Sequence, residues 1–300
     1  MIDVAIVIVN YNVRDLLRTC LRSVYASQGG VAVDVWVVDN GSLDGSAAMV
    51  LREFPRAHLR IASQNLGFAG ANNLALREIL QDPSSAGRGA RYVLLLNPDT
   101  ELPPTALVDM VKFLDLHTEA GAAGPRLVLA DGSLDLACRR SFPTPEVAFY
   151  RLFGLSRVFP RSRRFNRYNL NYLADDAVAE VDSVVGAFML VRLEVVRAIG
   201  LLDEAFFMYG EDLDWALRIK QAGWCVLYNG AVTVFHYKRA SSRQRTARSL
   251  VAFYQAMHIF FQKHYATQTA WPLRLLVVAA IYARALVALA LNQLRPRVLA

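Results

Sequence analysis

The fold class of this chain is decided by its opening stretch, IDVAIVIVNYN, which occupies residues 2–12. Residues 2–9 form a short, mostly apolar run rich in β-branched side chains, and a polar NYN segment follows directly. This pattern is typical of a strand that is buried on both faces of a parallel sheet. Apolar side chains then recur at helical spacing over residues 13–25, so the chain begins with a strand followed by a helix.

The same alternation continues through the first third of the chain. Further strands are predicted over residues 33–38, 58–62 and 92–96, and helices over residues 44–54 and about 71–80. We expect Ser42 or Asp44 to be the N-cap of the first of these two helices. Four strands alternating with helices predict an α/β fold with one Rossmann-like, mostly parallel sheet flanked by helices.

Two aspartates lie where predicted strands end. Asp39 follows the second strand and Asp99 follows the fourth, and ligands of such sheets bind beyond the carboxyl ends of the strands. Asp39 is suited to accept hydrogen bonds from a nucleobase or ribose, and Asp99 is suited to bind Mg²⁺ or Mn²⁺, which prefer carboxylate and phosphate oxygens. The alternative is that each aspartate only caps the helix that follows it.

A turn rich in glycine and asparagine, NLGFAGANN, occupies residues 65–73 ahead of a predicted helix. Glycines in this position let backbone N–H groups approach a phosphate at the helix N-terminus. The chain lacks the G-x-G-x-x-G and G-x-x-x-x-G-K-[ST] fingerprints of nucleotide-binding loops. These absences argue against a nicotinamide-dependent dehydrogenase and against a P-loop phosphotransferase.

Three carboxylates crowd into four residues, Glu211, Asp212 and Asp214. Like charges this close repel one another unless a cation compensates, so either they cap a helix or one of them is a catalytic base. His236 follows a β-branched run 24 residues after Asp212 and is either structural or a metal ligand.

The charge of the chain is distributed unevenly. No Asp or Glu follows Asp214, whereas twelve Lys and Arg residues do, which leaves 21 basic and 26 acidic residues in the first 214 positions. A basic C-terminal part suits an anionic membrane or a nucleic acid. Its apolar content favours the membrane, so we expect no nucleic-acid partner.

Residues 241–300 are predicted to form a basic, apolar, helical extension. Its final apolar run, Leu275–Leu291, has 17 residues interrupted only by Arg284, which is the lower limit for a spanning helix. A helix lying in the membrane interface fits better than one that crosses the bilayer. The chain shows no secretory signal, and Cys20, Cys138 and Cys225 match no metal or redox spacing. We therefore expect a cytoplasmic protein attached peripherally to the inner face of the cell membrane.

Six segments in this order resemble the family 2 glycosyltransferases with the GT-A fold, especially their rhamnosyltransferase-like branch. They are IVNYN (8–12), VVDNGSLDGS (37–46), NLGFAGANN (65–73), LLNPD (95–99), VGAFM (185–189) and GEDLD (210–214). The resemblance covers residues 1 to about 265. It implies a GT-A domain over residues 1–240, with a donor half at about 1–125 and an acceptor half at about 126–240.

The resemblance also implies a role for particular residues. Asp212 matches the usual catalytic base, with Glu211 orienting the acceptor beside it, and Asp99 and His236 match ligands of a divalent cation, Mg²⁺ or Mn²⁺. The residues implied to bind the donor are Asn10, Asn12, Asp39, Asn40, Asn65, Gly67, Asn72, Asn97 and Gly186.

Two departures from the family pattern stand out. The metal-binding D-x-D motif reads Asn97-Pro98-Asp99 here, so one carboxylate is missing. Lys238 or Arg239 stands where this branch commonly has a glycine, which makes a direct basic contact to the diphosphate possible.

The resemblance implies an inverting glycosyltransferase. It would move a sugar, rhamnose in the first instance, from a nucleoside-diphosphate donor to a saccharide or polyprenyl-linked acceptor during cell-surface polysaccharide or glycolipid assembly. Two alternatives stay open. One is a non-catalytic, sugar-nucleotide-binding scaffold subunit, and the other is a nucleotidyltransferase, although residues 10–15 lack its Gly-rich, basic loop.

Overall fold

The computed structural model of the chain describes residues 2–81, 89–159, 161–238 and 247–293. The strands are β1 (Val4–Asn10), β2 (Val33–Asp39), β3 (His58–Ile61), β4 (Tyr92–Leu96), β5 (Thr100–Glu101), β6 (Ala120–Val128), β7 (Val178–Val181), β8 (Phe188–Arg192) and β9 (Cys225–His236). The helices are α1 (Arg14–Tyr25), α2 (Ser46–Glu53), α3 (Gly67–Gln81), α4 (Ala106–Leu116), α5 (Pro145–Leu152), α6 (Leu155–Val158), α7 (Leu193–Ile199), α8 (Glu211–Gln221), α9 (Ala247–His264) and α10 (Trp271–Gln293).

The strands form one sheet in the order β3-β2-β1-β4-β8-β6-β9-β5, and β7 pairs with β9 outside this path. Strands β1 to β4 are mutually parallel where they pair, as are β6 and β9. β8 runs antiparallel to both of its neighbours, β4 and β6, and thereby joins the two parallel parts. The predicted α/β fold is confirmed, and the strands predicted from the first third of the sequence form one of its two parallel parts.

Burial explains why the central strands are apolar at successive positions. Every side chain from Val4 to Ile8 is at most 1% exposed, and β4 is buried to a similar degree. Successive side chains of a strand point to opposite faces, so both faces of the sheet are covered. Each fully buried Val, Leu or Ile contributes about 1.5–3 kcal/mol relative to an exposed side chain.

The start of α2 differs from the prediction. The helix begins at Ser46 with Gly45 as its N-cap at φ +81°, so neither Ser42 nor Asp44 holds that position. Both side chains have other partners: the Asp44 carboxylate accepts the N–H groups of Ser46 and Arg14, and the Ser42 hydroxyl accepts the N–H of Asn12. Glycine tolerates the left-handed conformation that the chain needs here.

The C-terminal helices differ from each other in burial. Ala256 and Phe260 of α9 belong to the main hydrophobic core, so this helix is packed onto the sheet domain. α10 has 23 residues and is long and apolar enough to cross a membrane. Trp271 is 74% exposed and Leu286 is 69% exposed. The predicted apolar C-terminal helix is confirmed, whereas the predicted boundary at residues 240–241 lies outside the described residues.

Candidate active site

The carboxyl ends of β1 and β2 are joined by a hydrogen-bond cluster. Asn10 and Asp39 are directly paired in the sheet, and the Asn10 Nδ2 donates to Asp39 Oδ1 at 2.9 Å and to Ser42 Oγ at 3.0 Å. The N–H of Ser42 donates to Asp39 Oδ2 at 3.1 Å. Asp39 is 2% exposed, and each of its oxygens already has a protein donor. The carboxylate is therefore fixed in position at the sheet edge.

Asn12 extends this cluster toward the surface. It adopts φ 54°, in the left-handed region that asparagine tolerates, and its Oδ1 accepts the N–H of Leu43 at 2.8 Å. The structure therefore brings Asn10, Asn12 and Asp39 together, as the sequence predicts for one side of a donor site.

The glycine-rich turn is held by two asparagines. Asn40 Nδ2 donates to Asn65 Oδ1 and to Gly67 O, both at 3.1 Å, and its Oδ1 accepts the N–H of Leu66 at 2.8 Å. The N–H of Gly67 donates to Asn65 Oδ1 at 2.9 Å. The N–H groups of Leu66 and Gly67 are thus used inside the protein, and the interpretation of this turn as a phosphate-binding loop is not supported for them.

Gly67 is required for another reason. It adopts φ +78°, and a Cβ there would lie 2.2 Å from Phe207 O. The next N–H, of Phe68, donates to the same carbonyl at 2.7 Å. The turn therefore packs directly against the loop that precedes α8. Asn72, which the sequence assigns to the donor site, is buried in α3 and donates to Phe68 O at 2.9 Å, so it supports the turn.

His236 lies between two carboxylates at the other side of the sheet edge. Its Nε2 is 3.3 Å from Asp99 Oδ1, and its Nδ1 is 2.9 Å from Asp135 Oδ2. Burial alone would lower the pKa of His236, but the hydrogen bonds to Asp135 and Asp99 outweigh it, so this pKa is raised. Asn97 completes the group, with Nδ2 3.5 Å from His236 Nε2. The structure thus brings Asn97, Asp99 and His236 together and adds Asp135.

Lys238 binds Asp135 as well, with Nζ 2.7 Å from Oδ1. Burial would raise the pKa of Asp135, but His236 and Lys238 hold it well below its ordinary value. The sequence suggests a contact from Lys238 to a diphosphate, and the structure places its ammonium on Asp135 instead. Arg239, the other basic residue considered, lies outside the described residues.

The residues around His236 can hold a divalent cation only if a bound ligand supplies further coordinating atoms. Among residues 2–81, 89–159, 161–238 and 247–293, no cluster of three His, Cys, Asp or Glu side chains is arranged to hold a metal. Asp99 Oδ1 and His236 Nε2 offer one oxygen and one nitrogen, and Asp135 fixes the ring from behind through Nδ1. Mg²⁺ and Mn²⁺ accept such sparse sites when phosphate oxygens and water complete the coordination. The residues therefore fit a cation that arrives with a diphosphate.

Asp212 lies in the first turn of α8, after Gly210 at φ +85°. Its Oδ2 accepts Arg140 Nη2 at 2.7 Å and the N–H of Gly186 at 3.1 Å, and its Oδ1 accepts the N–H of Leu213 at 2.8 Å. Carboxylates are favoured at a helix N-terminus, and the guanidinium compensates the charge that burial would otherwise penalise. Asp212 is therefore a buried, paired and oriented carboxylate.

Gly186 lies between the two sides of the site. A Cβ at this position would lie 3.1 Å from the Phe68 ring and 3.8 Å from Asp212 Cβ. The residue thus separates the aromatic ring of the glycine-rich turn from the carboxylate of α8.

Glu211 is buried next to Asp212, and its Oε2 has no hydrogen-bond partner among the described residues. Burial and then the negative charge of Asp212 raise the pKa of Glu211, while Arg140 opposes the change. Glu211 therefore keeps its proton to higher pH than an ordinary glutamate does. The two neighbouring acids have different environments, as acid and base groups of active sites do.

Asp214 is completely buried, and of the three neighbouring carboxylates it is the one with a structural role. Its oxygens bind Arg218 Nε at 2.8 Å, Lys263 Nζ at 2.7 Å and His264 Nε2 at 2.8 Å. Burial would raise its pKa, but these partners lower it to about 2. Lys263 and His264 belong to α9, so this ion cluster ties the C-terminal helix to the helix that carries Asp212.

Sequence reasoning missed Asp135, Arg140 and the pairing of Asp214 with α9. Arg140 is separated from Asp212 by 72 positions and Asp135 from His236 by 101, so no local pattern reveals these contacts. The available signal was the segment CRRSFP (138–143), in which two adjacent arginines stand beside apolar residues outside any predicted helix. Cations in such surroundings need a buried anion.

Comparison with known proteins gives one family and several relatives. The family model described as "Glycosyltransferase like family 2" matches residues 3–252. The N-acetylglucosaminyl-diphospho-decaprenol L-rhamnosyltransferase of Mycobacterium tuberculosis is 28% identical over 81% of this chain and 78% of its own. The rhamnosyltransferase WbbL of Escherichia coli is 25% identical over 80% of this chain and 85% of its own.

Solved structures show the same fold. GalNAc-T7, solved with UDP, GalNAc and Mn²⁺, superposes with a TM-score of 0.60 at 13% identity. The match covers 89% of this chain and 50% of that one. The shared architecture is of the GT-A type, as predicted from the sequence.

Proposed function

The chain belongs to glycosyltransferase family 2, and on that premise we propose that it transfers rhamnose, with inversion, from a nucleoside-diphosphate sugar to a lipid-linked saccharide of a cell-surface glycan. The choice of rhamnose rests on the two rhamnosyltransferase relatives. The choice of a lipid-linked acceptor rests on the mycobacterial relative, whose name specifies a diphospho-decaprenol acceptor.

The arrangement of Asp212 carries the proposal. The carboxylate is oriented by Arg140 and Gly186 and is adjacent to Glu211, whose pKa is raised by burial and by the charge of Asp212. Asp212 removes the proton from the acceptor hydroxyl as the oxygen attacks the anomeric carbon. The bond from the anomeric carbon to the nucleoside diphosphate breaks on the opposite face in the same displacement, which inverts the anomeric centre.

The donor lies along the edge formed by β1, β2 and β4 in this proposal. Asp39, fixed by Asn10 and Ser42, receives hydrogen bonds from the nucleoside. Asp99 and His236 would hold Mg²⁺ or Mn²⁺, which would supply positive charge to offset the charge that develops on the diphosphate leaving group.

The first experiment is a donor panel. Wild-type protein is incubated with dTDP-rhamnose and other nucleotide sugars, a lipid acceptor extract and Mn²⁺ or Mg²⁺, and the anomeric configuration of any product is determined by NMR. We expect turnover of dTDP-rhamnose with inversion and loss of turnover after chelation. A retained configuration would contradict the mechanism, and binding of a donor without any turnover would favour the scaffold alternative.

We also propose that α10 attaches the protein to the inner face of the cell membrane. The helix exposes a broad apolar surface that includes Trp271, Leu276 and Leu286. No acidic residue follows Asp214, so the basic C-terminal part is attracted to anionic lipid.

Liposome flotation tests the attachment. The double variant Leu276→Asp/Leu286→Asp should lose most binding to vesicles that contain anionic lipid, whereas Leu116→Asp should bind as wild type does, because Leu116 is 81% exposed at the end of α4, outside α10 and the candidate site. Donor binding should be equal in all three proteins. Equal flotation of wild type and the double variant would refute attachment through α10.

A further inference from the structure

Arg140 is placed against Asp212 by its own backbone. Its N–H donates to Ser183 O at 2.9 Å, and the Ser183 N–H donates back to Arg140 O at 3.0 Å. This bridge holds residue 140 beside the segment that leads to Gly186. From there the Nη2 reaches Asp212 Oδ2 at 2.7 Å and Val184 O at 3.2 Å.

We propose that Arg140 is a positioning residue for the reaction: together with the Gly186 N–H it fixes Asp212 Oδ2 and leaves Oδ1 to take the proton of the acceptor hydroxyl. This inference rests on the proposed function. Two protein donors occupy Oδ2, whereas Oδ1 accepts a single N–H, from Leu213 of the same helix turn. A carboxylate oxygen has two lone-pair sites, so Oδ1 retains capacity for an incoming hydroxyl.

The neighbouring Arg139 shows what a purely structural arginine does in the same segment. Its guanidinium is buried too, but it donates to the carbonyls of Leu173 and Ala174 and to Asp175. It also lies over the Tyr228 ring, with the guanidinium carbon 5.1 Å from the ring centre. Arg139 therefore fastens a loop, whereas Arg140 contacts the carboxylate of α8.

The charged groups around Asp212 explain why the guanidinium matters for chemistry as well as for packing. Arg140 faces Asp212 from the 138–143 segment and Glu211 lies beside it on α8, while Tyr168 interacts with Arg140. Arg140 lowers the pKa of Glu211, so removing the cation raises that pKa further. Without Arg140, Glu211 therefore keeps its proton to a still higher pH beside the Asp212 carboxyl group.

The test compares Arg140→Met, Arg140→Lys and the matched control Arg139→Met in the full chain. We expect Arg140→Met to lower kcat on the order of 100-fold while donor Kd changes less than about threefold, because a correctly placed base contributes about 10²–10⁴-fold. The acid limb of its kcat–pH profile should move to higher pH. Arg140→Lys should keep the wild-type acid limb with about tenfold lower kcat, since an ammonium restores charge but not the planar contact.

Arg139→Met should lower the melting temperature and leave the acid limb unchanged. Wild-type kcat or an unchanged acid limb in folded Arg140→Met would overturn the inference. If Arg140→Met does not fold, Arg140→Lys decides, and wild-type kcat in that variant would overturn it.

Asp212→Asn, measured in parallel, separates the two claims. Activity in Asp212→Asn refutes the proposed base itself. Inactive Asp212→Asn combined with fully active Arg140→Met refutes only the positioning role.

Discussion

The two sides of the candidate site are held together by different forces. On the donor side, the side chains of Asn10 and Asn40 bind residues at most 32 positions away, as in Asn10–Ser42 and Asn40–Asn65. On the acceptor side, a buried ion pair connects Arg140 with Asp212 over 72 positions, and a hydrogen bond connects Asp214 with His264 over 50. Local contacts of asparagine amides shape the ends of β1 and β2, whereas distant contacts of buried carboxylates shape the acceptor side.

This difference has an energetic consequence. A neutral hydrogen bond contributes about 0.5–1.5 kcal/mol net, whereas removing one partner of a buried ion pair costs about 3–5 kcal/mol. The acceptor side should therefore be far more sensitive to single substitutions than the donor side.

The largest expected effect on stability is at Asp214. Asp214→Asn should lower the free energy of unfolding by about 3–5 kcal/mol, because Arg218, Lys263 and His264 lose their shared carboxylate. Denaturant titration measures the loss. The exposed Asp176 offers a control, and Asp176→Asn should change stability by less than about 0.5 kcal/mol. Equal stability of the two variants would show that α9 is not fastened through Asp214.

The same cluster predicts a dependence of stability on pH. The pKa of Asp214 is lowered to about 2, below its value in an unfolded chain. Its contribution is therefore present above about pH 4 and is lost as the pH falls toward 2, with a size of about 2–3 kcal/mol. The stability gap between wild type and Asp214→Asn should narrow from pH 7 to pH 3. A gap that stays constant over that range would contradict the ionic origin.

A smaller effect is expected where Asp135 orients His236. Asp135→Asn should weaken Mn²⁺ binding in the presence of a nucleoside diphosphate about 10–100-fold, because the ring loses the carboxylate that holds Nδ1. Calorimetric titration with Mn²⁺ measures this without any turnover. Asp131→Asn is the control, since Asp131 is exposed and accepts hydrogen bonds from the backbone and hydroxyl of nearby Ser133. Unchanged Mn²⁺ affinity in Asp135→Asn would show that His236 does not bind the cation.

The smallest effect is expected on the donor side. Asn40→Ala removes three neutral hydrogen bonds around the glycine-rich turn and should cost about 1–3 kcal/mol of unfolding free energy. The exposed Asn171 provides the matched variant Asn171→Ala, which should be close to neutral. A cost for Asn40→Ala as large as that for Asp214→Asn would erase the contrast between the two sides.

The contrast between the two sides also explains which parts of the fold and site could be predicted from the sequence. Strands β1 and β4 were predictable because burial on both faces leaves an unbroken apolar run. The clusters at their ends were predictable because neighbouring parallel strands end together. Arg140 and Asp135 were not, because their partners become neighbours only after the whole sheet has formed.

Backbone conformation accounts for the remaining differences. The sequence placed an N-cap at Ser42 or Asp44, but the left-handed Gly45 takes that position. The glycines of the 65–73 turn were interpreted as letting backbone N–H groups approach a phosphate, whereas Gly67 packs against the carbonyl of Phe207. That contact joins residues far apart in the sequence, so no local pattern reveals it.

The most direct test of the account is a comparison of donor affinity and sugar transfer in Asp39→Asn and Asp212→Asn. We expect Asp39→Asn to raise the donor Kd at least about tenfold, because it changes a fixed acceptor of hydrogen bonds. We expect Asp212→Asn to bind the donor within about threefold of wild type and to transfer sugar at least about 100-fold more slowly. Wild-type transfer by Asp212→Asn, or equal loss of donor binding in both variants, would contradict the division into a donor side and a catalytic side.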